Sequence, residues 1–207
     1  MQVTHTTLLR YSLVVAATCL ITGTTYAETL LSSFEQDLTT SVGLDWTVGT
    51  SGSAYTANGT TDGSSALALT HGGGWSTYLT LDGSEHAPLV AANNYMLFDI
   101  TVPDTAEWRQ VFVVMQGEGL GWTQRGGDVG LGATTTYALD LNESGAKAAA
   151  AGATWWQTLV IVQGGDAGGG DITTTFDNIR FATQLVPEPS TAVLALFGLV
   201  AAARRRR

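Results

Sequence analysis

Between residues 28 and 185 the chain has no cysteine, two histidines and only four basic residues; its one cysteine, Cys19, lies ahead of that span. Without thiols the span forms no disulfide and runs no thiol chemistry, so its stability comes from a packed core, with or without a metal. His71 and His86 have no partner at ligand spacing. The sequence also lacks a His-Glu-x-x-His helix, a Gly-x-Ser-x-Gly elbow and a phosphate loop, which removes the commonest hydrolase and nucleotide-binding signatures. Against Arg109, Arg125, Lys147 and Arg180 stand 17 acidic residues, a formal charge of −13 over residues 28–185. Such a surface repels nucleic acid and anionic lipid, and suits cations or neutral ligands.

Long hydrophobic runs are missing too. The apolar stretch 11–21 follows His5 and Arg10 and leads through small and polar residues to Thr25-Tyr26-Ala27. That is the pattern of a secretory signal peptide, residues 1–27, too short for a stable span. Cys19 lies inside the run, but Ala16-Ala17-Thr18 is not the Leu-rich approach of a lipidation site. At the other end, residues 186–207 read VPEPSTAVLALFGLVAAARRRR. Two prolines keep 186–190 extended and accessible. The apolar segment 191–203, read as a short hydrophobic helix, covers only about 20 Å at 1.5 Å per residue, against roughly 30 Å of hydrocarbon. Arg204, Arg205, Arg206 and Arg207 snorkel to the interface and favour the cytoplasmic side. It is a marginal anchor, suited to being held and then cut. Pro187, Glu188 and Pro189, the apolar run and the arginines, in that order, resemble the PEP-CTERM sorting tail. The resemblance implies export, transient membrane anchoring and removal of the tail by an exosortase-type membrane enzyme.

Residues 28–185 form one domain of ordinary size, and their pattern is all-β. Runs rich in Thr, Val and aromatics recur at 30–35, 46–48, 54–57, 66–70, 76–81, 95–102, 110–116, 137–141, 155–163 and 173–182, between Gly, Asn, Asp and Ser clusters. The spacing predicts a sandwich or barrel. Only 143–151 looks helical, and the glycine-rich segments 117–132 and 164–170 are expected to be surface loops. Alternation puts Met96, Phe98, Ile100 and Val102 on one face, expected to be core. It also sends Trp155 and Trp156 to opposite faces without deciding which is buried.

Leu31-Ser32-Ser33-Phe34-Glu35, then Leu44-Asp45-Trp46, the segment 61–69 and the closing Phe176-Asp177-Asn178-Ile179-Arg180-Phe181 are similar to the galactose-binding-like jelly rolls of many carbohydrate-binding modules. A concanavalin-type sandwich is the competing fold. The jelly-roll resemblance implies that the first and last strands lie together, with a structural calcium beside them held by Glu35 and Asp177 and, as a further oxygen, Asp37. The alternative is that these carboxylates bond turns and loop amides. Calcium needs six to eight oxygens, so carbonyls or waters would have to complete the shell.

Glycan binding requires exposed rings, because sugar C–H faces stack on them while amides and carboxylates bond the hydroxyls. The candidates are Trp75, Tyr78, Trp122 and Trp155, or Trp156 in its place; Trp122 leads, and Trp46 and Trp108 are assigned to the framework. Glu107, Glu118 and Asp128 lie near tryptophans in sequence, yet glycoside hydrolysis needs two carboxylates converging within about 5–9.5 Å, which no spacing here specifies. The expectation is a non-enzymatic jelly-roll β-sandwich at the cell surface or in its matrix, binding an extracellular polysaccharide. A purely structural matrix protein is the alternative, and a polysaccharide-active enzyme the third class.

Overall fold

A computed structural model describes residues 27–49, 52–72, 74–166 and 170–185, without the side chains of 74–78 and 165–166. Residues 1–26 of the expected signal peptide, the Pro-Glu-Pro motif (Pro187, Glu188, Pro189), the segment expected to be a hydrophobic helix and Arg204–Arg207 lie outside these residues. Among the described residues no helix is long and apolar enough to cross a membrane.

The elements in order are β1 (Glu28–Ser32), β2 (Thr47–Val48), β3 (Gly52–Thr56), β4 (Ala66–His71), β5 (Gly74–Asp82), a 3-10 turn (Ser84–His86), α1 (Ala87–Ala92), β6 (Tyr95–Val102), β7 (Ala106–Gly117), β8 (Leu120–Asp128), β9 (Ala133–Asp140), α2 (Ala146–Ala150), β10 (Trp156–Asp166) and β11 (Ile172–Ala182). They form two antiparallel sheets. One runs β3-β4-β11-β6-β9, with β1 also paired to β11; the other runs β2-β5-β10-β7-β8. On β11, β4 pairs with Ile172–Phe176 and β1 with Ile179–Ala182, so the first and last strands do lie together. Arg180 Nε meets Glu28 Oε2 across that pair at 3.2 Å.

The core forms where the inner sides of the two sheets meet. Met96, Phe98, Ile100 and Val102 of β6 are buried as alternation requires, and pack in one cluster with Phe176, Val111, Val113, Met115, Trp156, Val160 and Val162. Phe98 stacks on Tyr137 with ring centroids 5.2 Å apart. Trp156 is the core indole and Trp155 the exposed one.

Three expectations are corrected. Segment 117–132 is not a loop: β8 occupies most of it and pairs with β7 from Gln110↔Asp128 to Gly117↔Leu120. Its glycines serve close approach, since a Cβ at Gly126 would lie 2.1 Å from the Val111 carbonyl oxygen and 2.7 Å from Phe112 Cα. Likewise β10 runs through Gly164 to Asp166, where a Cβ at Gly164 would meet the Trp108 carbonyl at 2.4 Å. Helix is also not confined to 143–151. The 3-10 turn and α1 were hidden because six residues with Pro88 at their start are too short to show a period.

Candidate functional site

Strand parity builds the outer face of the five-stranded sheet. On β7, Arg109, Val111, Val113 and Met115 point inward and are buried, so Trp108, Gln110, Phe112, Val114 and Gln116 point outward. On β10, Trp156, Thr158, Val160 and Val162 are inside, leaving Gln157, Leu159, Ile161 and Gln163 outside, with Trp155 in phase just ahead of the strand. Register aligns them in rows: Gln163 with Gln110, Ile161 with Phe112, Leu159 with Val114, Gln157 with Gln116. The neighbouring strands add Asp128, Gly126 and Gln124 from β8, and Asp82 and Thr80 from β5. Trp122, two residues before Gln124, shares their side.

The three outward tryptophans are exposed: Trp108 by 43%, Trp122 by 56% and Trp155 by 49%. Trp108 marks one end of the face; Trp122 and Trp155 flank the other. From Trp108 to Gln116 along β7 is on the order of 26 Å at 3.3 Å per residue. Between them lies a small apolar cluster of Val114, Leu159 and Ile161 with Phe112 packed against it. Amides border it at both ends: Gln116 Nε2 donates to Gln157 Oε1, and Gln110 Nε2 donates to Asp128 Oδ1 at 2.8 Å. The cluster itself is closed, with Val114 and Ile161 0% and Leu159 8% exposed, so C–H faces stack on the tryptophans and hydroxyls bond the amides at the two ends. Arg125 alternates to the other side of β8, and its Nη1 bonds the Gln124 carbonyl at 3.0 Å.

Trp122 and Trp155 thus share a face, as neither could be shown to do from sequence. Trp75 and Tyr78 lie on β5, where Trp75 pairs in register with Gln163; their side chains are outside the described structure. Trp46 is framework, 2% exposed, but Trp108 is not. Arg109 takes the inner position instead, with its Nη1 3.2 Å from His71 Nε2. A signal was available: Trp108 is out of phase with Val111, Val113 and Met115.

Glu35 and Asp177 grip one loop. Glu35 Oε1 accepts from the Ser64 and Ser65 amides at 2.8 and 3.1 Å, and Oε2 from the Ser64 hydroxyl at 2.8 Å. These bonds, the Ser64 hydroxyl first, hold the Glu35 carboxyl below its ordinary pKa. Gly63 lies between the two grips at φ +70°, and a Cβ there would strike Glu35 Oε1 at 2.0 Å. Asp177 Oδ2 accepts from the Thr61 and Asp62 amides at 2.6 and 2.9 Å, and Oδ1 from the Asn178 amide at 2.8 Å. Its cross-strand partner Asp99 accepts from the Thr61 and Thr136 hydroxyls, both at 2.6 Å, and from Asn178 Nδ2 at 3.0 Å. Asp37 caps the Thr39 amide at 3.0 Å.

As they stand, these carboxylates face N–H and O–H donors, whereas calcium needs a cage of oxygens. No group of three or more His, Cys, Asp or Glu placed to hold a metal occurs among the described residues. The donor set is that of a loop clamp.

Near the tryptophans, Glu118 Oε2 accepts from the Thr154 hydroxyl at 2.6 Å and its amide at 3.1 Å. Those bonds lower its pKa, the hydroxyl contributing most. A general acid needs the opposite shift.

Residues 185–207 match the PEP-CTERM protein-sorting motif. Among solved structures the chain is similar to a carbohydrate-binding module from a study of promiscuous specificity in the β-sandwich superfamily, at 22% identity and a TM-score of 0.51, over 73% of this chain and 60% of that one. It is also similar to a family 30 carbohydrate-binding module, at 13% identity and a TM-score of 0.50, over 78% of this chain and 90% of that one. No curated protein matches the chain. At such identities the likeness speaks to fold. The chain therefore carries a PEP-CTERM protein-sorting motif at residues 185–207, behind a β-sandwich with the fold of the carbohydrate-binding modules.

Proposed function

We propose that the chain is exported on residues 1–27, held at the membrane by its tail, and processed by an exosortase-type enzyme. The sandwich is then displayed at the cell surface or in the extracellular matrix, where the outer face of its five-stranded sheet binds a polysaccharide without cleaving it. The observation that carries this is the gathering of Trp108, Trp122 and Trp155 on one face with glutamine rows between them. A charge of −13 over residues 28–185 favours an uncharged polymer, because an acidic one meets like charge. The lowered pKa of Glu118 and the engagement of Asp128 by Gln110 support a non-catalytic role.

The test is affinity electrophoresis of the secreted protein in gels cast with neutral and acidic polysaccharides. Retardation by a neutral polymer is expected. It should weaken about tenfold or more in Trp122→Ala and in Trp155→Ala, the size of a central aromatic contact, and also in Trp108→Ala. Retardation that survives all three changes refutes the face; release of reducing sugar refutes the non-catalytic role.

A structural matrix protein is the second reading, favoured by the nine residues of β8 at the edge of their sheet. Such an edge is a template for pairing with another chain. Concentration-dependent assembly in sedimentation, with no response to any polymer, would select it.

A further inference from the structure

We infer that the groove between α1 and α2 seats the apolar run 192–203 of this same chain before the tail enters the membrane. The groove encloses about 580 Å³ and is lined by Ala87, Pro88, Ala91, Ala150, Gly152 and Ala153, with Ser84 at one end. Ala87 and Val90 turn α1 onto the core, and Ala146 and Ala150 do the same for α2. Methyl-sized side chains leave a trench along the two helices that accepts larger apolar side chains such as Leu194, Leu196, Phe197 and Leu199.

The chain leaves the sandwich beside this groove. Just beyond the end of α1, the Asn94 amide donates to the Ala182 carbonyl at 3.0 Å, and Asn94 Nδ2 to the Thr183 carbonyl at 2.7 Å. Lys147 of α2 closes the corner by donating to Asn94 Oδ1. Leu185, the last described residue, is 47% exposed. The seven residues from there to 192 reach up to about 23 Å, whereas α1 is only about 9 Å long. Entering at the Ala92 end, the run passes toward Ser84. That direction carries Arg204–Arg207 to Asp82 and Glu85, which are exposed ahead of α1. Apolar run meets apolar groove, and arginines meet carboxylates. Seated there, part of the run is kept from water and from premature membrane contact until sorting begins, and insertion of the tail into the membrane opens the groove.

The test uses the full chain with Cys19→Ser, in buffer without detergent. Cysteines are placed as Ala91→Cys with Leu196→Cys, and as a control Thr134→Cys on β9 with Leu196→Cys. Under mild oxidation the first pair should close within one chain at least tenfold faster than the control, and slow when Asp82→Lys and Glu85→Lys reverse the charge. Equal rates overturn the inference, as does crosslinking only between chains, which would assign the groove to a second copy. A readout independent of cysteine in the groove is a polarity-sensitive dye on Phe197→Cys in the Cys19→Ser chain. Its emission should be blue-shifted and should move to the red when Ala91→Arg fills the trench; emission unchanged by that substitution also overturns it.

Discussion

His86, at the end of the 3-10 turn, is buried, with Nε2 3.0 Å from the Thr158 hydroxyl oxygen. Burial pushes its pKa down to about 4, against a weaker opposing backbone bond to Gly83. The unfolded chain takes up this proton below about 6.5 while the folded chain does not until about 4, so between those values the unfolded state binds more protons. Stability therefore falls as pH drops from 6.5 to 4, by on the order of 3 kcal/mol, and this contribution then levels off. Denaturant titrations at pH 7 and 4.5 measure the slope, which His86→Gln should flatten even if that variant is less stable throughout. The carboxyls of Glu35, Glu118 and Asp140, held low mainly by hydrogen bonds, lose their contribution as the pH falls further. At this scale the sequence was readable where alternation applied, as at Met96, Phe98, Ile100 and Val102. It was not readable at Trp155 and Trp156, because parity separates two residues without saying which side is inside.

Among the elements, β8 departs most from its sequence. Glycine at 121, 126 and 127 reads as loop, but Gly126 lets β8 pass close to Phe112 on β7. Gly126→Val is expected to push the strands apart, because its Cβ would stand 2.1 Å from the Val111 carbonyl oxygen. Lower melting temperature together with lost polysaccharide retardation would bear this out; an unchanged face would show that β8 is dispensable. The loop at 61–65 supplies a second prediction. Asp177→Ala leaves three backbone amides without their acceptor, at a cost of about 3 kcal/mol or more, read as a shift in denaturation midpoint. We propose that this clamp holds without calcium, so melting temperature should be the same in calcium and in chelator; a rise with calcium would restore the ion at Glu35 and Asp177. The carboxylates themselves were legible from their motifs. Their partners were not, since Ser64 and Thr61 lie 29 and 116 residues from the groups they bond.

For the whole molecule, sorting is separable from folding. Removing 186–207 takes away the apolar run and the arginines but nothing from the described sandwich core. The truncated protein should therefore still fold, its denaturation midpoint lowered only by the lost groove contacts, and appear in the medium or remain unsorted. Glu188→Ala should instead impair processing while keeping the anchor, detected as an uncut, membrane-associated form. Unaltered localisation in both would reduce the tail to a passenger. The all-β class, the sorting motif at 185–207 and the acidic, thiol-free character of the middle were determined by the sequence alone. Each depends on local composition or on a period of two, and neither needs distant residues to be brought together. Only the tertiary structure decided that Trp108, Trp122 and Trp155 share one surface, that Glu35 and Asp177 grip the same loop, and that the chain exits beside an apolar groove. Those facts depend on which strands pair and in what register, and register is set by packing among residues far apart in the chain.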